Sequence, residues 1–201
     1  MQRLLLLLLI ASLTACQPAA PPDNSASAPA EEKTEEKKEE AKSGQLDKPG
    51  DTTEANGNKM TLVKIARPEE SVETGPMTLT VKTVALTEFE PSEQMAGVLQ
   101  KEGEFTLASL TVEVENASDD TVSFYPDQAT IVAGQEQAQA NLILTEQVGG
   151  DFIGKVKKTG KVAFVLDTPA EDIESFKVVV NAPNNKQLQS MGNEVTMEFE
   201  F

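Results

Sequence analysis

The last nine residues, NEVTMEFEF, alternate without a break. Val195, Met197, Phe199 and Phe201 fall on one phase, and Glu194, Thr196, Glu198 and Glu200 on the other. A period of two is what a half-buried β-strand requires, because successive side chains leave opposite faces of the pleat. The same signature recurs in short runs from Met60 onward: MTLTVKTVAL, EFTLASLTVEVEN, TVSFYP, ATIVAG, ANLILT, KVAFVLD and SFKVVVNAP. Turn residues punctuate them at Asn116–Asp120, Pro126–Asp127, Gly149–Gly150, Thr159–Gly160 and Pro183–Asn185. Many short strands with frequent turns predict an all-β antiparallel sandwich or barrel over residues 60–201.

Two of the runs change phase. Met77, Leu79 and Val81 give way to Val84 and Leu86, and Phe105 and Leu107 give way to Leu110, Val112 and Val114. A shift of this kind predicts a β-bulge or a bend in each. PSEQMAGVLQKEG interrupts the strand pattern and is read as one helical turn or a long loop.

Upstream of Met60 the chain has a different character. MQRLLLLLLIASLTAC carries one base, Arg3, then an apolar run over residues 4–11, then polar Ser12 and Thr14. The run is far short of the roughly 20 residues that span a bilayer, so it has the form of a secretory signal peptide. Residues 17–59 hold almost no large apolar side chains. PAAPPDNSASAPA favours extended, solvated chain. In EEKTEEKKEEAK, pairs such as Glu31/Glu35, Glu32/Glu36 and Lys33/Lys37 place like charges four apart, which works against a stable helix. The expected organisation is a leader over 1–15, a disordered acidic tether over 16–59 and one domain over 60–201.

Charge narrows the partners. Of a net charge of −16, the leader contributes +1, residues 17–59 contribute −4 and residues 60–201 contribute −13. Such a domain repels phosphate, so nucleic acid is excluded as a natural partner. Histidine is absent, which removes the commonest general base and metal ligand. Cys16 is the single cysteine and allows no internal disulfide. No nucleophile motif and no metal-ligand cluster is present, and nothing singles out a pair among the 23 acids of residues 60–201. No catalytic residue, metal or cofactor is therefore expected.

Candidate sites are few. Lys155, Lys157, Lys158 and Lys161 are four of the ten bases in residues 60–201. They form either a cationic patch for an anionic protein or cell-wall polymer, or the outward positions of a hairpin that guards a sheet edge. Asp119, Asp120 and Asp127 could gather oxygen ligands at one end of the sandwich, although a solvated turn suits their spacing better. Glu171–Glu174 is read the same way. Phe89, Met95 and Phe152 are read as loop residues tucked over the sandwich end.

Two resemblances add to this. Leu13, Thr14, Ala15 and Cys16 resemble a bacterial lipobox, which implies cleavage between Ala15 and Cys16 and a lipid on the Cys16 sulfur. Two or three acyl chains there would anchor the protein stably in the cell membrane on its extracytoplasmic face. The order VEVENASDDTVSF, GKVKKTGKVAFVLD and a terminal apolar strand resembles the immunoglobulin-like domain-of-unknown-function family 4352. That resemblance implies a two-sheet sandwich, no known catalytic residue and no established ligand. The function expected is a non-catalytic binding or accessory module at the cell surface. An enzyme using acidic residues in a cleft, and a purely structural spacer, stay open.

Overall fold

A computed structural model describes residues 46–201. Cys16, Ala15, the leader and the tether as far as residue 45 lie outside the described residues. The chain is all-β, with antiparallel sheets in a sandwich-like arrangement. The elements are β1 (Thr52–Ala55), β2 (Asn58–Ala66), β3 (Glu70–Thr74), β4 (Met77–Glu90), α1 (Glu93–Leu99), β5 (Phe105–Asn116), β6 (Thr121–Phe124), β7 (Thr130–Ala133), β8 (Glu136–Gln139), β9 (Gly150–Ile153), β10 (Lys157–Leu166), β11 (Ser175–Val180) and β12 (Val195–Glu200).

One sheet has the order β1-β2-β4-β5-β10, with β3 on the same flank of β4 as β2. A second has the order β12-β11-β7-β8, and β6 pairs β9 in a short third sheet. The sheets bury alternate residues against one another: Met77, Leu79, Val81, Val84 and Leu86 of β4 share a core with Ile131, Phe176, Val178, Met197 and Phe199. Burying one such side chain is worth about 1.5–3 kcal/mol. That gain makes the period-two pattern decisive over local propensity.

The predicted bulge in β4 is present: its register with β5 shifts between Val81 and Thr83. β5 itself carries no bulge. Its pairing with β4 runs unbroken from Thr111 to Phe105. The apolar phase changes because the buried face changes. Phe105 points away from the main core and packs against its β4 neighbour Phe89, ring centroids 5.1 Å apart and tilted by 49°. With Leu62 they are buried on the outer surface of this sheet, separate from the main core cluster. The Lys101 ammonium lies 5.6 Å from the Phe105 ring centroid, a cation–π contact. Three residues read as loop residues are corrected: Phe89 belongs to β4, Met95 to α1, and Phe152 lies in β9 within the main core.

Four further expectations change. The ordered sheet begins before residue 60. Asn56-Gly57 makes the β1–β2 turn with both residues at positive φ, the geometry this dipeptide favours in two-residue hairpins. α1 is a full short helix, not a single turn. The Ser92 side chain caps it by accepting from the Met95 N–H, and Gln100 closes it in the left-handed region. Residues 140–145 form no strand, because the Asn141 carboxamide oxygen accepts from the N–H groups of Ile143 and Leu144 and turns the chain. Thr159–Gly160 is no turn but lies within β10. Gly160 is needed there because a Cβ would sit 2.3 Å from Val148.

Candidate functional site

The β5–β6 turn, the residues after β9 and the β11–β12 connection meet at the end of the sandwich where β5 stops and β10 starts. Asn116, the last residue of β5, organises this end. Its side chain is buried and donates to the carbonyls of Asp120, Phe152 and Gly154 at 2.9, 3.4 and 3.0 Å. Its carboxamide oxygen accepts from the Ser118 N–H and hydroxyl. One amide thus ties the β5–β6 turn to β9 and the turn beyond it. Asparagine suits the role because it carries two donors and an acceptor on a short side chain.

The β11–β12 connection, residues 181–194, packs beside that turn. Hairpin loops usually have two to five residues, and this one is far longer. It is pinned along its length. Asn184 exchanges backbone hydrogen bonds with Ser123, and Met191 N–H donates to Pro183. Asn185 accepts from the N–H groups of Gln187 and Gln189. Thr74 Oγ1 both donates to the Asn193 carbonyl and accepts from the Asn193 N–H. Leu188 stands at the apex, 84% exposed with φ +60.

Between the two loops lies an open cleft of about 500 Å³, lined by Asp119, Asp120, Thr121, Asn185, Lys186, Gln187 and Met191. Its chemistry is mixed: two carboxylates, two amides, a hydroxyl and one ammonium. That set can hold polar groups by hydrogen bonds. Asp127 is not part of it. Asp127 accepts from the Gly149 N–H at 3.1 Å, and its other oxygen is buried without a partner. The three aspartates are therefore not brought together. Among the described residues no group of three or more His, Cys, Asp or Glu side chains is placed to hold a metal.

The four lysines divide between tasks. Lys157 pairs with Glu113 at 2.8 Å and Glu115 at 3.0 Å. The hydrogen bond to Glu113, and then that to Glu115, holds its ammonium above the ordinary value. Hydrogen bonds from Lys157, and then Lys82, hold Glu113 below its own. Lys158 donates to the Gly149 carbonyl at 2.6 Å, and its ammonium lies 4.2 Å from the Phe152 ring centroid. Lys155 sits 3.5 Å from Asp119, and Lys161 is exposed. The outer edge of β10 is covered by residues 141–149. Asn141 N–H donates to Ala163, Glu146 N–H donates to Lys161, and Glu146 Oε2 accepts from the Lys161 N–H. That segment, rather than the lysines, guards the edge. Asp119 and Asp120, singled out from the sequence, form one wall of the cleft. The role of Asn116 and the opposite wall at residues 185–187 were not read, and the one available signal for that wall is the length of the polar run between the last two strands.

No family model matches the chain. It is 27% identical over 156 residues to the SPbeta prophage-derived uncharacterized lipoprotein YonS of Bacillus subtilis strain 168, covering 76% of this chain and 71% of that protein. A crystal structure of a functionally unknown protein from Listeria monocytogenes EGD-e is similar in fold. Its TM-score is 0.53 at 12% identity, over 71% of this chain and 86% of that one. These similar proteins are uncharacterized or functionally unknown, and they indicate no enzymatic family.

Proposed function

We propose that this chain is a lipoprotein held on the extracytoplasmic face of a bacterial cell membrane, with its sandwich serving as a non-catalytic binding or accessory module. The observation that carries the reading is the similarity to a Bacillus lipoprotein over three quarters of the chain. It is supported by the order Leu13-Thr14-Ala15-Cys16 behind an apolar leader. In this reading the lipid is attached to Cys16 after cleavage behind Ala15. The tether lifts the domain from the membrane, and the sandwich is of the immunoglobulin-like kind carried by family 4352. Partners are a protein or a cell-wall polymer. The mixed polar cleft between residues 119–121 and 185–187 suits recognition by hydrogen bonds.

The test is fractionation of cells expressing the wild type or Cys16→Ser. The wild type is expected in the membrane fraction and the variant in the soluble extracytoplasmic fraction. A variant that stays with the membrane would refute lipid anchoring at Cys16.

A further inference from the structure

Among the described residues the second sheet ends at β12, with no strand paired beyond it. The register of β11 and β12 pairs Ser175 with Glu200 and Val180 with Val195. Beyond it, the Phe201 N–H donates to the Glu174 carbonyl at 3.1 Å. In an antiparallel ladder hydrogen-bonded pairs alternate with non-bonded ones. Phe199, Met197 and Val195 therefore bond to β11. The backbone N–H and C=O groups of Thr196, Glu198 and Glu200 point the other way, out of the sheet. Among the described residues none of these six groups has a hydrogen-bond partner. This contrasts with β10, whose outer edge residues 141–149 occupy.

A groove of about 420 Å³ lies at the Glu198–Glu200 end of this edge, lined by Ala66, Pro68, Glu70, Glu198, Phe199 and Glu200. Its far wall is the β2–β3 connection and the start of β3. At the other end β3 closes on the chain leading into β12, where Thr74 grips Asn193. Pro68 has no N–H, and among the described residues no base lines the groove. Lys177 faces Glu198 from the β11 side, away from the opening. Three carboxylates thus stand over unpaired backbone donors and acceptors, beside the apolar surfaces of Phe199, Ala66 and Pro68.

We propose that this groove takes an extended, basic peptide segment of a partner protein, added to β12 as a further strand. The open backbone groups supply the main-chain hydrogen bonds of strand addition. Alternation supplies the selectivity. Side chains of the added strand on the face of Glu198 and Glu200 are lysine or arginine, and those turned beneath them are small and apolar. The charge pairing favours this occupant over an acidic peptide or a polyanionic wall polymer, which the three glutamates repel. The proposal rests on the reading of the domain as a binding module and names the chemistry of its partner.

The probe is an end-blocked hexapeptide of alternating lysine and valine, with binding to the full-length protein followed by fluorescence anisotropy. Saturable binding is expected, weakened at least about tenfold by Glu198→Lys with Glu200→Lys. The deciding comparison uses the wild-type protein and two N-methylated peptides, each lacking one alternate set of N–H groups. Loss of binding with one set and retention with the other is expected, because only one edge of an added strand faces β12. Equal effects of the two peptides, or no saturable binding of the parent, would overturn the proposal. Either result leaves membrane anchoring untouched, since that is read by fractionation of Cys16→Ser.

Discussion

At the residue scale, buried polar groups carry the cooperativity of the loop end. Asn116→Ala removes the donors to three carbonyls and the acceptor for Ser118. Leaving such groups unpaired costs roughly 1–3 kcal/mol each, with partial recovery by water, so a loss of about 3 kcal/mol is expected in urea unfolding. Lys161→Ala, at an exposed position, is expected to fall within about 0.5 kcal/mol of wild type. Glu136 gives a pH prediction. Burial pushes its carboxyl up, but bonds from the Asp167 N–H, the Thr168 hydroxyl and the Thr168 N–H together hold it below its ordinary value of 4.5. A depressed carboxyl stabilises the fold above that value, and the contribution is lost as pH falls through the lower folded value. Melting temperature should therefore drop below pH 4.5 in part through Glu136, and Glu136→Gln should be less stable at pH 7 with a shallower acid slope. A slope unchanged by the substitution would remove Glu136 from the account.

At the element scale, legibility followed burial. β12 was plain because its inner residues Val195, Met197 and Phe199 all face one core. The β4 bulge was equally plain, since the phase shift had one cause. β5 misled for a physical reason: a strand buried on different faces at its two ends shows the same phase shift as a bulge. β1 was missed because TTEA buries little, and its strand character comes from the Asn-Gly turn and pairing with β2. Of the candidate cleft only Asp119 and Asp120 were legible, because its two walls are polar residues far apart in sequence, joined by backbone bonds that any sequence can make. The β11–β12 loop also depends on one close approach. A Cβ on Gly75 would lie 1.8 Å from the Met191 carbonyl oxygen, and its φ of +58 disfavours other residues. Gly75→Ala should cost about 3 kcal/mol or more and free the loop. Hydrogen exchange should show lost protection at the Met191 and Asn193 amides, while amides of β4 and β5 keep theirs.

At the scale of the whole molecule, the question is where the cooperative unit begins. Composition alone puts the boundary at residue 60, where apolar periodicity starts. The sheet puts it earlier. Gly50 N–H donates to the Leu62 carbonyl, and the Leu62 N–H donates to Asp51. The Asp51 carboxylate accepts from the N–H groups of Asp47 and Lys48, which fixes the turn that delivers β1. Lys59 pairs with Glu90 across β2 and β4. Leu62, 1% exposed, sits beneath this edge. A chain starting at residue 60 would lose β1, two residues of β2 and the partners of the Leu62 backbone. Partial exposure of one leucine, the loss of the two Leu62 backbone hydrogen bonds and the loss of the ladder pairing of Met60 with Thr53 amount to at least about 3 kcal/mol. Thermal unfolding of residues 46–201 against 60–201 should show a drop in Tm of roughly 6–10 °C for the shorter chain, given the response expected of a domain near 150 residues. Equal melting would mean that β1 and the turn before it pack on the sheet without stabilising it, and the tether would then extend to residue 59 in energetic terms.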